Sequence, residues 1–336
     1  MPTPPPLPGH GVAVWSTGAW RAGAAAWLDE RLAAVGLART GEVTQPHLRP
    51  WATVLRAPTT GGDVWLKAAG PGTAFEVGLY GVLARVAPHR VLAPLAADAG
   101  RGWIVLPDGG PPLQDRLAGQ PLVDALSAAL ADYGRLQRDL APHVDDLLAA
   151  GVTDMRPAIM PQRFDEALAA TADEPDRDRR DRIAALRPDV ARWCEELAAS
   201  ALPASLDHND LHPGNILDGT GAADGRGARF YDWGDSVVAH PMAALLVPLR
   251  VAAMVLDTGP DDPRVLAVRD AYLDVFAADA PGEDLLATFD LAGRVATVAR
   301  TLTWDRALRA AREQGEDAAG WADAPRETLA TLLGPG

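Results

Sequence analysis

The feature that most constrains this chain is one polar loop set between apolar runs, Leu206-Asp207-His208-Asn209-Asp210-Leu211-His212-Pro213-Gly214-Asn215-Ile216-Leu217. Strand-like Ala204 to Leu206 leads into it. A second short run, Ala228 to Tyr231, closes on Asp232-Trp233-Gly234-Asp235. Asn215 to Leu217 and Ala228 to Tyr231 read as a hairpin joined by a flexible Gly/Ala/Asp connector. Pairing of the two runs brings Asp210, Asn215 and Asp232 to one end of the strands. Pro213 and Gly214 hold the intervening backbone in a tight course.

The 336 residues, 48% of them apolar, allow a large core, and that length suggests about two domains. A single cysteine, Cys194, excludes an internal disulfide framework and a cysteine-rich metal site, so a reducing cytoplasm is the expected location. The start, Met1 to Pro8, is proline-rich rather than basic then apolar, and no run approaches the roughly 18 apolar residues of a membrane span. No membrane association is expected.

Charge is unevenly placed. Residues 1–110 carry nine basic and seven acidic side chains, and the remainder 22 and 38, within a total of −14. Such a surface makes nucleic acid an unexpected partner. Of the 31 basic residues thirty are Arg, and the one Lys is Lys67. A solitary lysine in a chain this rich in arginine marks a place where a compact ammonium is needed and a broad guanidinium does not fit, although a chance surface lysine is the bland alternative.

Taken in order, residues 20–36 have Trp27, Leu28, Leu32 and Val35 at helical spacing, with Gly36 placed to stop the helix. Residues 42–44, 51–57 and 64–68 read as strands, with a hairpin turn over Pro58 to Asp63. Lys67 falls near the end of the third. Gly70-Pro71-Gly72-Thr73 then breaks the strand and starts a helix over about 74–86, with Glu76 in its first turn. Residues 91–96 and 103–106 read as two more strands around an Asp98 to Gly102 turn. The expected unit is a helix plus a five-stranded antiparallel sheet over residues 1–106, with a hinge at 107–112 where Pro and Gly cluster.

Residues 113–336 turn mostly helical. Leu122, Leu126, Leu130, Tyr133, Leu136 and Leu140 recur at three and four, as do Leu291, Val295, Val298 and Leu302. These stripes read as core packing. Asp173 to Asp181 is a solvated connector or helix start, and 241–256 and 265–277 read as further helices. The last residues, 333–336, read as a frayed end, and no internal repeat is present.

The loop residues support phosphoryl transfer. That chemistry needs a carboxylate to orient and deprotonate an acceptor hydroxyl, and two oxygen ligands to hold magnesium on nucleotide phosphates. Asp210 can be the first, and Asn215 and Asp232 the other two, the Asn offering an oxygen without adding charge. Lys67 would neutralise phosphate, with Glu76 as the carboxylate that positions it. Alternatives stand beside each. His208, Asp210 and His212 at alternate positions could ligate one metal of a hydrolase, but that leaves Asn215 and Asp232 unexplained. Asp207 and Asp235 can be surface charges, Glu76 a helix-start carboxylate favoured by the macrodipole, and Trp233 a packed aromatic.

His208-Asn209-Asp210-Leu211-His212-Pro213-Gly214-Asn215 with Tyr231-Asp232-Trp233-Gly234-Asp235 closely resembles the aminoglycoside phosphotransferase family, relatives of choline kinases and of the protein-kinase fold. The likeness extends over most of residues 40–260. It implies an α+β, bilobal small-molecule kinase, with a small antiparallel sheet lobe carrying one helix, a larger mainly helical lobe, and the nucleotide in the cleft between them. It implies ATP and magnesium as cofactors and a small-molecule hydroxyl as acceptor. Position by position, it makes Asp210 the catalytic base, Asn215 and Asp232 the magnesium ligands, Lys67 the phosphate-binding lysine and Glu76 its partner. Leu106 to Gly109, including Asp108, become the hinge that meets adenine, with Asp235 and His212 on the acceptor side.

The chain departs from the family in one loop. Where a glycine-rich loop would join the first two strands it has Thr44-Gln45-Pro46-His47-Leu48-Arg49-Pro50. Lys67 and Glu76 are also only nine residues apart. The acidic second half would favour a cationic acceptor, as aminoglycosides are, unless the charge serves solubility alone. A metabolic kinase of a sugar, amino alcohol or choline-like substrate, and an inactive nucleotide-binding module acting through a partner, are the other readings.

Overall fold

A computed structural model describes residues 9–217, 227–316, 318 and 320–334. The proline-rich start, the connector at 218–226 and the last two residues lie outside the described residues. The chain divides into two compact units. One comprises the described residues up to Gly110 with Asp305–Ala322, and the other Pro111–Trp304 with the residues from Asp323 onward.

The first unit begins with α1 (Val12–Trp15) and α2 (Gly18–Ala34). The Thr17 hydroxyl accepts the Trp20 N–H at 3.2 Å and so caps α2. At the other end Gly36 takes φ 75°, a left-handed geometry that glycine adopts without strain. β1 (Thr44–Leu48), β2 (Ala52–Thr59), β3 (Gly62–Ala69), α3 (Glu76–Val86), β4 (Ala96–Asp98) and β5 (Trp103–Pro107) follow. The strands form one antiparallel sheet in the order β1-β2-β3-β5-β4.

Alternation along β3 divides the sheet's faces. Val64, Leu66 and Ala68 join Leu55, Ala57, Trp103 and Val105 in a core closed by Ala24, Trp27, Leu28 and Leu32 of α2. Trp103 meets Trp27 edge-on, with ring centroids 5.2 Å apart. Lys67 points to the opposite face.

Three strand boundaries differ from the expected ones. β1 runs through the segment read as a loop, because its register shifts between Thr44 and His47 and the irregularity accommodates Pro46, which has no N–H to donate. The β2–β3 turn is only Thr60-Gly61, since Pro58 and Asp63 pair in register and Gly62 takes φ 104°. β4 starts at Ala96 rather than 91. Pro94 interrupts the run, and Val91 and Leu92 are buried without pairing as a strand.

The second unit contains α4 (Leu113–Arg116), α5 (Gly119–Leu140), α6 (Val144–Ala149), β6 (Thr153–Asp154), α7 (Met160–Ala170), α8 (Arg177–Ala184) and α9 (Arg187–Ala198). The charged run starts α8, with Asp176 as its cap. β7 (Ser205–Asp207), β8 (Ile216–Leu217), β9 (Arg229–Phe230) and β10 (Val237–Ala239) come next, then α10 (Leu246–Val255), α11 (Pro263–Leu273), α12 (Leu285–Glu313) and α13 (Ala324–Ala330). β10 pairs antiparallel with β7 and parallel with β6, and β8 and β9 form the expected hairpin. α5 buries the expected stripe from Leu122 to Leu140.

Periodicity does not reveal that Asp305–Ala322 belongs with the sheet unit. The contacts that hold it there are specific. The Glu316 carboxylate accepts the N–H groups of Val12 and Ala13 at 2.9 Å each. Arg306 lies over the Phe75 ring at 4.9 Å, and Trp51 meets Trp321 at 5.9 Å. The α12 backbone passes so close that a Cβ on Gly72 would sit 2.3 Å from the Arg306 carbonyl oxygen.

Candidate active site

Each unit carries one part of the expected set. In the sheet unit, Lys67 Nζ lies 2.6 Å from Glu76 Oε2, and the Glu76 side chain is 2% exposed. Lys67 sits on β3 between Val54 and Ile104 of the neighbouring strands. Glu76 is the first residue of α3. Leu106 is buried and pairs with Trp65. The Asp108 N–H donates to the Asp63 carbonyl at 3.0 Å, and Asp108 Oδ1 accepts the Trp65 indole N–H at 3.0 Å. His47 and Arg49 are exposed, and the Arg49 N–H closes the β1–β2 turn on the Ala52 carbonyl.

In the helical unit the loop is built from behind by buried polar groups. The Tyr133 hydroxyl donates to the Leu206 carbonyl at 2.9 Å and accepts the His208 N–H at 2.7 Å. Gln137 Nε2 also donates to the Leu206 carbonyl, at 2.8 Å. Asp207 Oδ1 accepts the Asn209 N–H at 2.7 Å, and this turn puts Asn209 at φ 60°. The Asn209 amide donates to Thr303 Oγ1 at 2.7 Å.

His208 is fully buried against Trp233, with ring centroids 4.7 Å apart. Burial pushes its pKa down to about 4, so the ring is neutral, and its Nε2–H donates to the Tyr231 carbonyl at 3.0 Å. That bond commits the ring to a structural role. Among the described residues there is no group of three or more His, Cys, Asp and Glu placed to hold a metal ion.

Asp210 follows directly. Its carbonyl accepts the His212 N–H at 2.9 Å and Asn215 Nδ2 at 2.9 Å. The second bond fixes the Asn215 amide, spending its nitrogen and leaving its carbonyl oxygen as the group it can offer a cation. Asp232 ends the hairpin in a left-handed conformation, φ 64° and ψ 61°, immediately after β9. Such a backbone is costly for a residue other than glycine and re-aims the side chain out of the strand's alternation. A Cβ on Gly214 would lie 2.6 Å from His212 Cε1 and 2.7 Å from Gln114 Oε1, which explains the glycine in the motif.

The two acids flanking the loop differ in burial. Asp207 is no surface residue; it is buried, and burial pushes its carboxyl up to about 7 against the pull of the Asn209 N–H and Arg300. Asp235 is half-buried, and its Oδ2 accepts Arg300 Nη1 at 2.8 Å. Arg300, on α12, is the contact of Asp210 and Asp235 that the sequence reading did not anticipate. Its Nη2 donates to Asp210 Oδ1 at 2.7 Å and its Nη1 also reaches the Asn209 carbonyl at 2.8 Å. Burial lifts Asp210 above the usual carboxylate range, Arg300 offsets part of that lift, and Asp235 adds to it.

Comparison with known proteins places this geometry. Residues 38–286 match the model of the "Phosphotransferase enzyme family". No curated protein sequence matches. Solved structures with the same fold include macrolide 2'-phosphotransferase MphH from Brachybacterium faecium, 20% identical with a TM-score of 0.54, covering 92% of this chain and 98% of that one. Choline kinase LicA from Streptococcus pneumoniae is 13% identical with a TM-score of 0.58, covering 92% and 99%. The GDP and kanamycin complex of APH(2")-IIia is 15% identical with a TM-score of 0.53, covering 87% and 93%. The antiparallel sheet unit and the mainly helical unit are thus those of the protein-kinase-like small-molecule kinases, and the chain belongs to the phosphotransferase enzyme family.

Proposed function

We propose that this phosphotransferase moves the γ-phosphoryl group of ATP, with magnesium, onto a hydroxyl of a small molecule. The observation that carries the reading is the orientation of Asn215, whose amide is locked on the Asp210 carbonyl beside a left-handed Asp232. Asn215 and Asp232 would hold magnesium, which supplies charge neutralisation at the phosphates. Asp210 would take the proton of the acceptor hydroxyl. Lys67, held by buried Glu76, would bind phosphate oxygens with a compact ammonium. Leu106 and Asp108 would border adenine. Because the Asp108 N–H is taken by Asp63, any backbone contact from Asp108 would come from its carbonyl.

The acceptor would be antibiotic-like or a metabolite such as an amino alcohol. The similar structures include a macrolide phosphotransferase, a kanamycin complex and a choline kinase, with TM-scores of 0.53 to 0.58 that do not rank these classes. His212 and Asp235 would lie on the acceptor side. The complete set of Lys67, Asp210, Asn215 and Asp232 argues against an inactive module. Among the described residues no helix is long and apolar enough to cross a membrane. Cys194 is buried, its thiol pushed up to about 11 by burial, which suits a reducing cytoplasm.

The test is a screen of nucleoside diphosphate release from magnesium ATP and magnesium GTP over aminoglycosides, macrolides, sugars and amino alcohols. The expected result is a product heavier by one phosphoryl group. Absence of any phosphorylated product or nucleotide turnover would overturn the reading.

A further inference from the structure

The two carboxylate oxygens of Asp210 have different surroundings. Oδ1 accepts Arg300 Nη2 at 2.7 Å. Oδ2 lies 3.7 Å from His212 Nε2, beyond the reach of a direct hydrogen bond. His212 Nδ1 accepts the Gly214 N–H at 3.0 Å. With Nδ1 accepting, the ring proton sits on Nε2. A donor therefore faces an acceptor across a gap that one oxygen atom, bonded to both, can bridge.

Arg300 is fixed well enough to enforce this asymmetry. Its residue is 8% exposed, its Nη1 donates to the Asn209 carbonyl and Asp235 Oδ2 at 2.8 Å each, and its Cζ lies 4.9 Å from the Trp304 ring centroid. A planar fork tied at that many points has no freedom to rotate. One turn further along α12, Thr303 holds the Asn209 side chain at 2.7 Å. α12 thus grips both the residue before Asp210 and Asp210 itself.

Resting on the phosphotransfer reading, we propose that Arg300 is a positioning residue that occupies Asp210 Oδ1, so that the acceptor hydroxyl binds at Oδ2 and receives a hydrogen bond from His212 Nε2–H. In the transfer the hydroxyl O–H bond breaks toward Oδ2 as the new O–P bond forms. The bond from phosphorus to the nucleoside diphosphate breaks and its electron pair leaves with that group. The subsite selects a group that both donates and accepts. A hydroxyl does; an ammonium has no lone pair for His212. The acceptor atom is therefore an oxygen even in a molecule that carries amines.

The test uses the full chain with magnesium ATP or GTP and water as the acceptor, so no acceptor need be identified. Arg300→Ala is expected to lower kcat about 100-fold with the nucleotide KM within about twofold, and added guanidinium ion to restore about tenfold of that. His212→Gln, which keeps a donor, is expected to retain most of the turnover, and His212→Leu to lose about tenfold. An Arg300→Ala kcat within about twofold of the unaltered chain, or a folded variant that guanidinium does not rescue, overturns the proposal. Should Arg300→Ala fail to fold, equal kcat for His212→Leu and the unaltered chain overturns it instead. Absence of turnover in the unaltered chain with both nucleotides, in water and across the acceptor panel, overturns the phosphotransfer reading, and this assignment with it.

Discussion

Lys67 Nζ and Glu76 Oε2 lie 2.6 Å apart although only nine residues separate them in the chain. The short span suffices because β3 ends at Ala69, Gly70-Pro71-Gly72-Thr73 reverses the chain, and Glu76 opens α3. Close passage of the α12 backbone then admits only glycine at position 72. The ammonium, with a side chain 15% exposed, is met by a nearly buried carboxylate.

A guanidinium in that place keeps the charge but not the size. Lys67→Arg is therefore expected to lower kcat/KM for nucleotide on the order of 100-fold, the loss typical of a displaced phosphate-binding group. Steady-state rates over a nucleotide series measure it. Activity within a few-fold of the unaltered chain would show that any cation serves.

The Asp207 carboxyl gives stability an unusual pH dependence. Its pKa rises from 3.8 unfolded to about 7 folded, so the native state binds the proton more tightly. This contribution is complete below 3.8 and is lost as pH rises through about 7. Asp207→Asn stays neutral at every pH. The difference in Tm, variant minus unaltered chain, is expected to grow by about 2 °C or more between about pH 5 and about pH 8.5. A difference that is flat or shrinks contradicts it.

His208 and His240 act in the opposite sense. Burial lowers both from 6.5 to about 4, so the unfolded chain takes up their protons first. Their contribution is complete above 6.5 and is lost as pH falls toward 4. Denaturant titrations are expected to show stability falling by up to about 1.4 kcal/mol per pH unit for each ring in that window. Substituting His240 by Gln should remove one ring's share, and an unchanged slope would refute the assignment.

The fold was legible wherever local pattern decides structure. The spacing of Trp27, Leu28 and Leu32 announced α2, and the β-branched runs announced β2, β3 and β5. It was illegible where one proline redirected pairing, at Pro46 in β1 and Pro94 before β4. At the candidate site, the hairpin and the bond between Asn215 and Asp210 were legible because close spacing along the chain announces them. Arg300 was hidden for the converse reason: it lies 90 residues beyond Asp210 and is one of thirty arginines, so nothing marks it as different. The sequence left the burial of Asp207 open because a carboxylate beside a polar loop usually meets water, whereas here Tyr133, Gln137 and Tyr272 build a buried polar layer behind it.

Gly214 separates local crowding from stability. A Cβ there would press on His212 and on Gln114, whose flexible end can move aside. Gly214→Ala is expected to fold with a nearly unchanged Tm and to lose about tenfold in kcat, because the His212 ring is displaced from Asp210. Thermal melts with initial rates decide this, and a large drop in Tm with kcat intact would contradict it.

The most direct measurement compares the unaltered chain with Asp210→Asn in one assay, recording kcat for nucleoside diphosphate release beside nucleotide affinity by titration. The substitution removes proton acceptance but no phosphate contact. kcat is expected to fall by about 100-fold or more while the Kd for magnesium nucleotide stays within about threefold. A variant that keeps more than about a tenth of the turnover, or that loses nucleotide binding in proportion, would contradict Asp210 as the base and the account built on it.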